Sequence, residues 1–209
     1  MSKTLNIAFF LFSLLYLLAQ AYVVDFLWLL KIIPIAILMG AVLKTEASSI
    51  RTILLFALFF SGCGDLLLAF DVFIFGVAAF LIAQLSYAVL FRQYWKGLFQ
   101  RWPLSFVLLI CIIAMLWLLL PKLGNLQLPV LAYLVAISAM GLLAVQSSLS
   151  MRWAVLGALI FIVSDSLIAI NKFVYPLPFE GLLIMSTYYA AQFMLITSLV
   201  KLAKHNESV

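Results

Sequence analysis

The residues with chemistry to offer are few, and they sit where they are expensive. Asp65, Asp165 and Lys31 interrupt long apolar runs, and an ionisable side chain at mid-membrane depth costs roughly 2.5–3.5 kcal/mol even on the gentlest insertion scale. Such groups face a bundle interior or a water-filled cavity, which makes all three candidates for function. Two carboxyls sharing a low-dielectric site do not ionise together, so one holds its proton while the other carries charge. Asp65 and Asp165 would then supply a general acid and a base from one residue type. Other roles fit the same residues. Lys31 can snorkel to the interface, neutralise an aspartate or bind substrate; the aspartates can serve as ion or proton ligands of a transporter, or as a structural pair.

Polar companions cluster nearby in the sequence. Ser61 and Ser164 fall within one turn of the aspartates, Gln84, Ser86 and Tyr87 near the middle of one apolar run, and Tyr188, Tyr189 and Gln192 near the middle of another. Gln84, Tyr87, Tyr188 and Gln192 are candidate substrate-binding residues, since all four can line a cavity below the acids. Helix–helix hydrogen bonding, worth about 0.6 kcal/mol on average, is the alternative and is favoured for the serines. Gly62 and Gly64 suit close backbone packing. The single histidine, His205, lies in the polar C-terminal stretch, which excludes Ser-His triads and histidine-bound zinc. Cys63 and Cys111 sit within apolar runs and read as packing residues with no disulfide or metal signature. Nucleotide-binding and nucleophile-elbow motifs are missing as well. Any enzyme here is a carboxylate enzyme, with no metal and no cofactor expected.

The elements that position these groups follow from composition. With 209 residues at 68% hydrophobic and 9% charged, the chain lies far from the soluble range of about 45–50% apolar and about 25% charged. Eight apolar runs, at 5–24, 26–43, 52–70, 72–91, 103–120, 127–146, 153–170 and 179–200, have the length of spanning helices and exceed that of spanning strands, about 9–11 residues. They predict an all-α, integral membrane eight-helix bundle, with residues 1–209 as a single transmembrane domain and no room for a soluble one. The first run lacks a cleavage signature and reads as a retained helix. Soluble enzymes, secreted disulfide scaffolds and nucleic-acid binders are excluded.

The basic residues predict orientation, because cytoplasmic loops collect Lys and Arg. Lys3, Lys44, Arg51, Arg92, Lys96, Arg101, Arg152, Lys201 and Lys204 fall on the side that holds both termini, against Lys31, Lys122 and Lys172 on the other. Both termini are therefore expected in the cytoplasm. An internal echo adds to this plan: residues 65–73 and 165–173 share D-x-L-x-A-x-x-x-F at an offset of 100 residues. Four helices separate the copies, so the chain reads as two parallel four-helix repeats, a symmetry known from transporters. The compartment expected is a bacterial cytoplasmic membrane.

Lys31-Ile-Ile-Pro34, Ser61-Gly-Cys-Gly-Asp65, Gln84-Leu-Ser-Tyr87, Ser164-Asp165 and Tyr188-Tyr-Ala-Ala-Gln192, in this order and spacing, resemble the YhhN-like lysoplasmalogenase family over nearly the whole chain. One position departs from it, Gln84 standing where family members carry histidine. The resemblance implies hydrolysis of the vinyl ether bond of a lysophospholipid, lysoplasmenylethanolamine or lysoplasmenylcholine, to a fatty aldehyde and a glycerophospho-headgroup. It casts Asp65 and Asp165 as catalytic, one donating the proton and the other stabilising the cation, with Lys31, Gln84, Tyr87, Tyr188 and Gln192 holding substrate or water. Two other readings stand beside it. A small-solute or proton-coupled transporter fits the repeat and the intramembrane acids, and Gly62-Cys-Gly-Asp65 matches the G-x-G-D of intramembrane aspartyl proteases, although there the second aspartate precedes the motif.

Overall fold

In the computed structural model, residues 2–22 and 25–206 are described, and the side chains of Lys204, His205 and Asn206 lie outside the described part. Eight α-helices form among these residues: α1 Lys3–Ala19, α2 Leu27–Leu43, α3 Ser49–Ala69, α4 Phe73–Gln93, α5 Trp102–Leu119, α6 Gln127–Val145, α7 Leu156–Phe173 and α8 Glu180–Asn206. One helix falls in each of the eight expected runs, but α1 ends at Ala19, short of the expected 24, and the chain turns at 20–22. Residues 23 and 24, where the first run was expected to end, fall outside the described residues.

Local chemistry sets the ends. Ser2 Oγ accepts from the Leu5 amide at 3.3 Å and Ser48 Oγ from the Arg51 amide at 3.2 Å, each satisfying a donor the helix start leaves free. Pro103 sits in the first turn of α5, where its missing N–H has no consequence. Two 3₁₀ turns, Leu120–Lys122 and Gly124–Leu126, join α5 to α6, and a π-helical turn at Met151–Val155 leads into α7. The eighth helix runs six residues past its expected end at 200. Residues 201–206 hold neither glycine nor proline, so nothing stops the backbone ladder where the apolar run ends.

Six of the helices are long and apolar enough to cross a membrane by length and composition, and the chain is a multi-pass membrane protein. The first two have 17 residues each, at the short end of the spanning range. In α2, Pro34 removes the backbone donor that the carbonyl of Leu30 would otherwise accept from. The next carbonyl, that of Lys31, accepts from the Tyr189 hydroxyl at 2.8 Å.

The bundle is tightest between α3 and α4 and between α7 and α8. A Cβ on Gly64 would meet the Phe80 ring at 2.6 Å, and one on Gly76 would meet Leu68 at 2.8 Å, so two glycines set the α3–α4 approach. By contrast α5 lies at the margin, with only Leu108 and Leu119 buried. A small apolar cluster around Leu108, Val145 and Val155 fixes one end of it, and another around Leu119, Leu123 and Val130 fixes the other. Arg101 ties its start to the end of α6. The guanidinium donates to the carbonyls of Val145, Ser147 and Leu149 at 2.9, 2.8 and 3.2 Å, the first an acceptor that the end of α6 leaves unpaired and the other two in the connection that follows it.

Candidate active site

Asp65 projects from α3 and is 2% exposed. Lys31, from α2, places Nζ 3.6 Å from its Oδ1 and donates to its backbone carbonyl at 3.2 Å. Ion pairing, not snorkelling to the interface, is what occupies Lys31. Behind Asp65 runs an ordered chain of hydrogen bonds. The Tyr87 hydroxyl donates to Gln192 Oε1 at 2.7 Å, and Gln192 Nε2 donates to Ser61 Oγ at 3.0 Å and Tyr188 Oη at 3.3 Å. Since Tyr188 accepts from Gln192, its own proton is available to the Asp65 carboxyl beside it. One helix pair, α4 with α8, thus orients a donor towards an acid on α3.

Asp165, on α7, has a different setting. Gln84 Nε2 donates to its Oδ2 at 3.3 Å, the Tyr133 hydroxyl donates to the same oxygen, and Gln84 Nε2 also reaches Tyr133 Oη at 3.3 Å. All of these partners are neutral. Asp65 therefore sits with a cation, and Asp165 with an amide and a phenol. The Gln84 carbonyl, buried, has no hydrogen-bond partner among the described residues, and neither does Asp65 Oδ2.

The two acids meet in one cavity of about 300 Å³, walled by Lys31, Asp65, Asp165 and Tyr188 and rimmed by Asp71, Lys172 and Glu180. Asp165 and Tyr133 also border an apolar groove of about 420 Å³ between α5, α6 and α7. The carboxyl of Asp165 is thus a boundary between a polar vestibule and a hydrocarbon-like space. At the rim Asn171 Oδ1 accepts from the Leu177 amide at 2.8 Å, pinning the α7–α8 turn. Phe73 and Phe173 pack edge to face with centroids 5.7 Å apart, and Lys172 Nζ lies 5.2 Å over the Phe73 ring.

Of the residues singled out from sequence, Lys31, Asp65, Asp165 and Tyr188 face the vestibule together. Gln84, Tyr87 and Gln192 are fully buried behind its wall and touch the acids or their partners. Ser164 Oγ donates across to the Ile184 carbonyl at 3.1 Å and Ser86 Oγ to Ile82 of its own helix at 2.8 Å, as helix–helix and intrahelical bonding would have them. Sequence reasoning passed over Tyr133, and over Tyr16, which lines the vestibule. The available signal was a phenol deep within an apolar run, away from the interfacial belt where tyrosine is common and obliged to find a partner.

The model of the YhhN family matches residues 26–199. The chain is 38% identical over 151 residues to Lysoplasmalogenase TMEM86B of Mus musculus, covering 69% of this chain and 62% of that protein. It is 36% identical over 173 residues to Lysoplasmalogenase TMEM86A of Bos taurus, covering 76% and 69% respectively. Against a Lysoplasmalogenase of Mycobacterium tuberculosis the identity is 36% over 153 residues, covering 68% and 58%. The match thus spans between 58% and 62% of the length of the mouse and mycobacterial relatives. No solved structure matches the chain. With the matched segment running from the start of α2 nearly to the end of α8, the chain belongs to the YhhN family.

Proposed function

We propose that the chain is a lysoplasmalogenase, hydrolysing the vinyl ether bond of a lysophospholipid to a fatty aldehyde and a glycerophospho-headgroup. The observation that carries this reading is the pair of buried carboxyls, Asp65 and Asp165, on one cavity with unlike partners. Relatives named lysoplasmalogenase support it.

Vinyl ether hydrolysis needs a proton on the alkenyl carbon one bond removed from the ether carbon, then water at the resulting oxocarbenium ion. That is two-carboxylate chemistry of the kind glycoside hydrolases use. Asp165, among neutral groups, is the proton donor: Oδ2 already accepts from Gln84 and Tyr133, leaving Oδ1 to carry the proton. Asp65, paired to Lys31, holds the negative charge beside the cation, and its unpartnered Oδ2 takes a proton from the attacking water. The hemiacetal formed collapses to aldehyde and glycerol hydroxyl, and the proton from water returns to Asp165. Gln84 and Tyr133 are positioning residues for Asp165. Tyr87 and Gln192 act on Asp65 through Tyr188. An amide at Gln84, where family members carry histidine, suits holding a carboxyl more than moving a proton.

Both termini are read as cytoplasmic from the basic residues, so the vestibule opens on the opposite face. The meeting of Asp65 with Asp165 and of Phe73 with Phe173 supports reading the two halves as parallel repeats. The test is aldehyde release by purified protein from a lysoplasmalogen, with the matching ester lysophospholipid as control. Aldehyde from the vinyl ether is the expected result; none from folded, monodisperse protein on either headgroup removes the reading.

A further inference from the structure

The groove between α5, α6 and α7 has no part in the chemistry above, yet it ends on it. Leu104 and Leu119 both line it and are fifteen residues apart, about 22 Å along α5 by the helical rise. Its walls are nearly all hydrocarbon, with Leu108, Ile137 and Ile162 typical, and its polar groups include Tyr133 and Asp165 at one edge and Ser138, whose buried hydroxyl has no hydrogen-bond partner among the described residues. Two apolar clusters hold α5 at its ends, and between them the helix stands off from α6 and α7. The gap follows from packing: Leu108 and Leu119 alone of α5 are buried, whereas Ile110 and Ile113 face outward, towards lipid in a membrane.

We infer that this groove takes the single hydrocarbon chain of the substrate, received sideways from the bilayer past the middle of α5. The inference rests on the hydrolase reading for the identity of the substrate. A lysolipid changes from polar to apolar at the bond beside its glycerol, and the protein makes the same change at Asp165, which borders the charged vestibule and the groove alike. A headgroup in the vestibule with its chain in the groove therefore sets the alkenyl carbons against that carboxyl. The chain runs from Tyr133 past Ser138 and Ile162 towards Leu108. Dispersion along a dry apolar wall supplies binding, and the depth of the wall sets the preferred chain length.

Two measurements test this. An alkyl-ether lysophosphatidylethanolamine with a diazirine at mid-chain cannot be hydrolysed, so it reports binding alone. Irradiated with the wild-type protein, it should label Ile137, Ser138 or Ile162, and excess unlabelled alkyl-ether lysolipid should suppress that labelling. Labelling confined to outward residues such as Ile113 and Trp117, and indifferent to competitor, overturns the inference. In the second measurement, Ser138→Phe fills the groove away from the acids. It should lower kcat/KM about tenfold or more for a long-chain vinyl ether while a short-chain analogue is turned over nearly as well as by wild type. A folded variant in which both substrates fall together, or neither falls, also overturns it. Wild-type protein that cross-links in the groove but releases no aldehyde defeats the hydrolase reading and leaves the chain site standing.

Discussion

Asp65 and Asp165 are chemically the same residue in unlike company, and the sharpest expectations concern that difference. Asp65→Asn and Asp165→Asn should each lower aldehyde release at least about a hundredfold in protein that stays folded and monodisperse; residual turnover near wild type in either variant removes that acid from the mechanism. Lys31→Met leaves a buried carboxylate without its cation and should destabilise the protein by about 3–5 kcal/mol. The double variant Lys31→Met with Asp65→Asn should recover most of that, as thermal melts of the four proteins in one detergent would show. Tyr133→Phe keeps the ring and removes the donor to Asp165 Oδ2. Its expected signature is a lower kcat with KM little changed and a displaced limb of the pH–rate profile, which a packing role alone would not give. The acids and Lys31 were legible in the sequence because charge in an apolar run is too costly to be incidental. Tyr133 was not, since a phenol in a helix is cheap and its partner lies 32 residues away on another element.

At the scale of elements, apolar runs long enough to span, with Pro and charged breaks between them, made the eight helices readable. The π-helical turn at Met151–Val155 and the reach of α8 to Asn206 were not readable, because both depend on backbone hydrogen bonding where composition is already mixed. The glycines of the G-x-G-D stretch illustrate how motif and packing can share letters. Among the described residues only Ile35 comes near the missing Cβ of Gly62, at 3.8 Å, whereas Gly64 abuts Phe80. Gly64→Ala should therefore cost about 1–3 kcal/mol by overpacking α3 against α4, and Gly62→Ala much less. Comparing the two melting temperatures, and adding Phe80→Leu to relieve the first, checks that contact. The standing-off of α5 was likewise invisible beforehand: its sequence is the most apolar of the six long spans, with mean hydropathy 2.8, yet it is the least buried.

For the whole molecule, orientation decides which aqueous phase meets the vestibule. In a background with Cys63→Ala and Cys111→Ala, Ser2→Cys should react with an impermeant maleimide only from the cytoplasmic side and Asn125→Cys only from the other; the reverse pattern would invert the protein in its membrane. The ion pair of Lys31 with Asp65 has a consequence for biogenesis as well. As α2 emerges from the ribosome it is a 17-residue segment burdened with an ammonium, and α3 follows with an unpaired carboxylate. Either alone would carry an insertion penalty of roughly 2.5–3.5 kcal/mol, but joined by a five-residue turn at 44–48 they neutralise each other as a hairpin. The translocon therefore gains by releasing α2 and α3 into lipid together, so that the first half of the vestibule wall is assembled before the helix carrying Asp165 has been made.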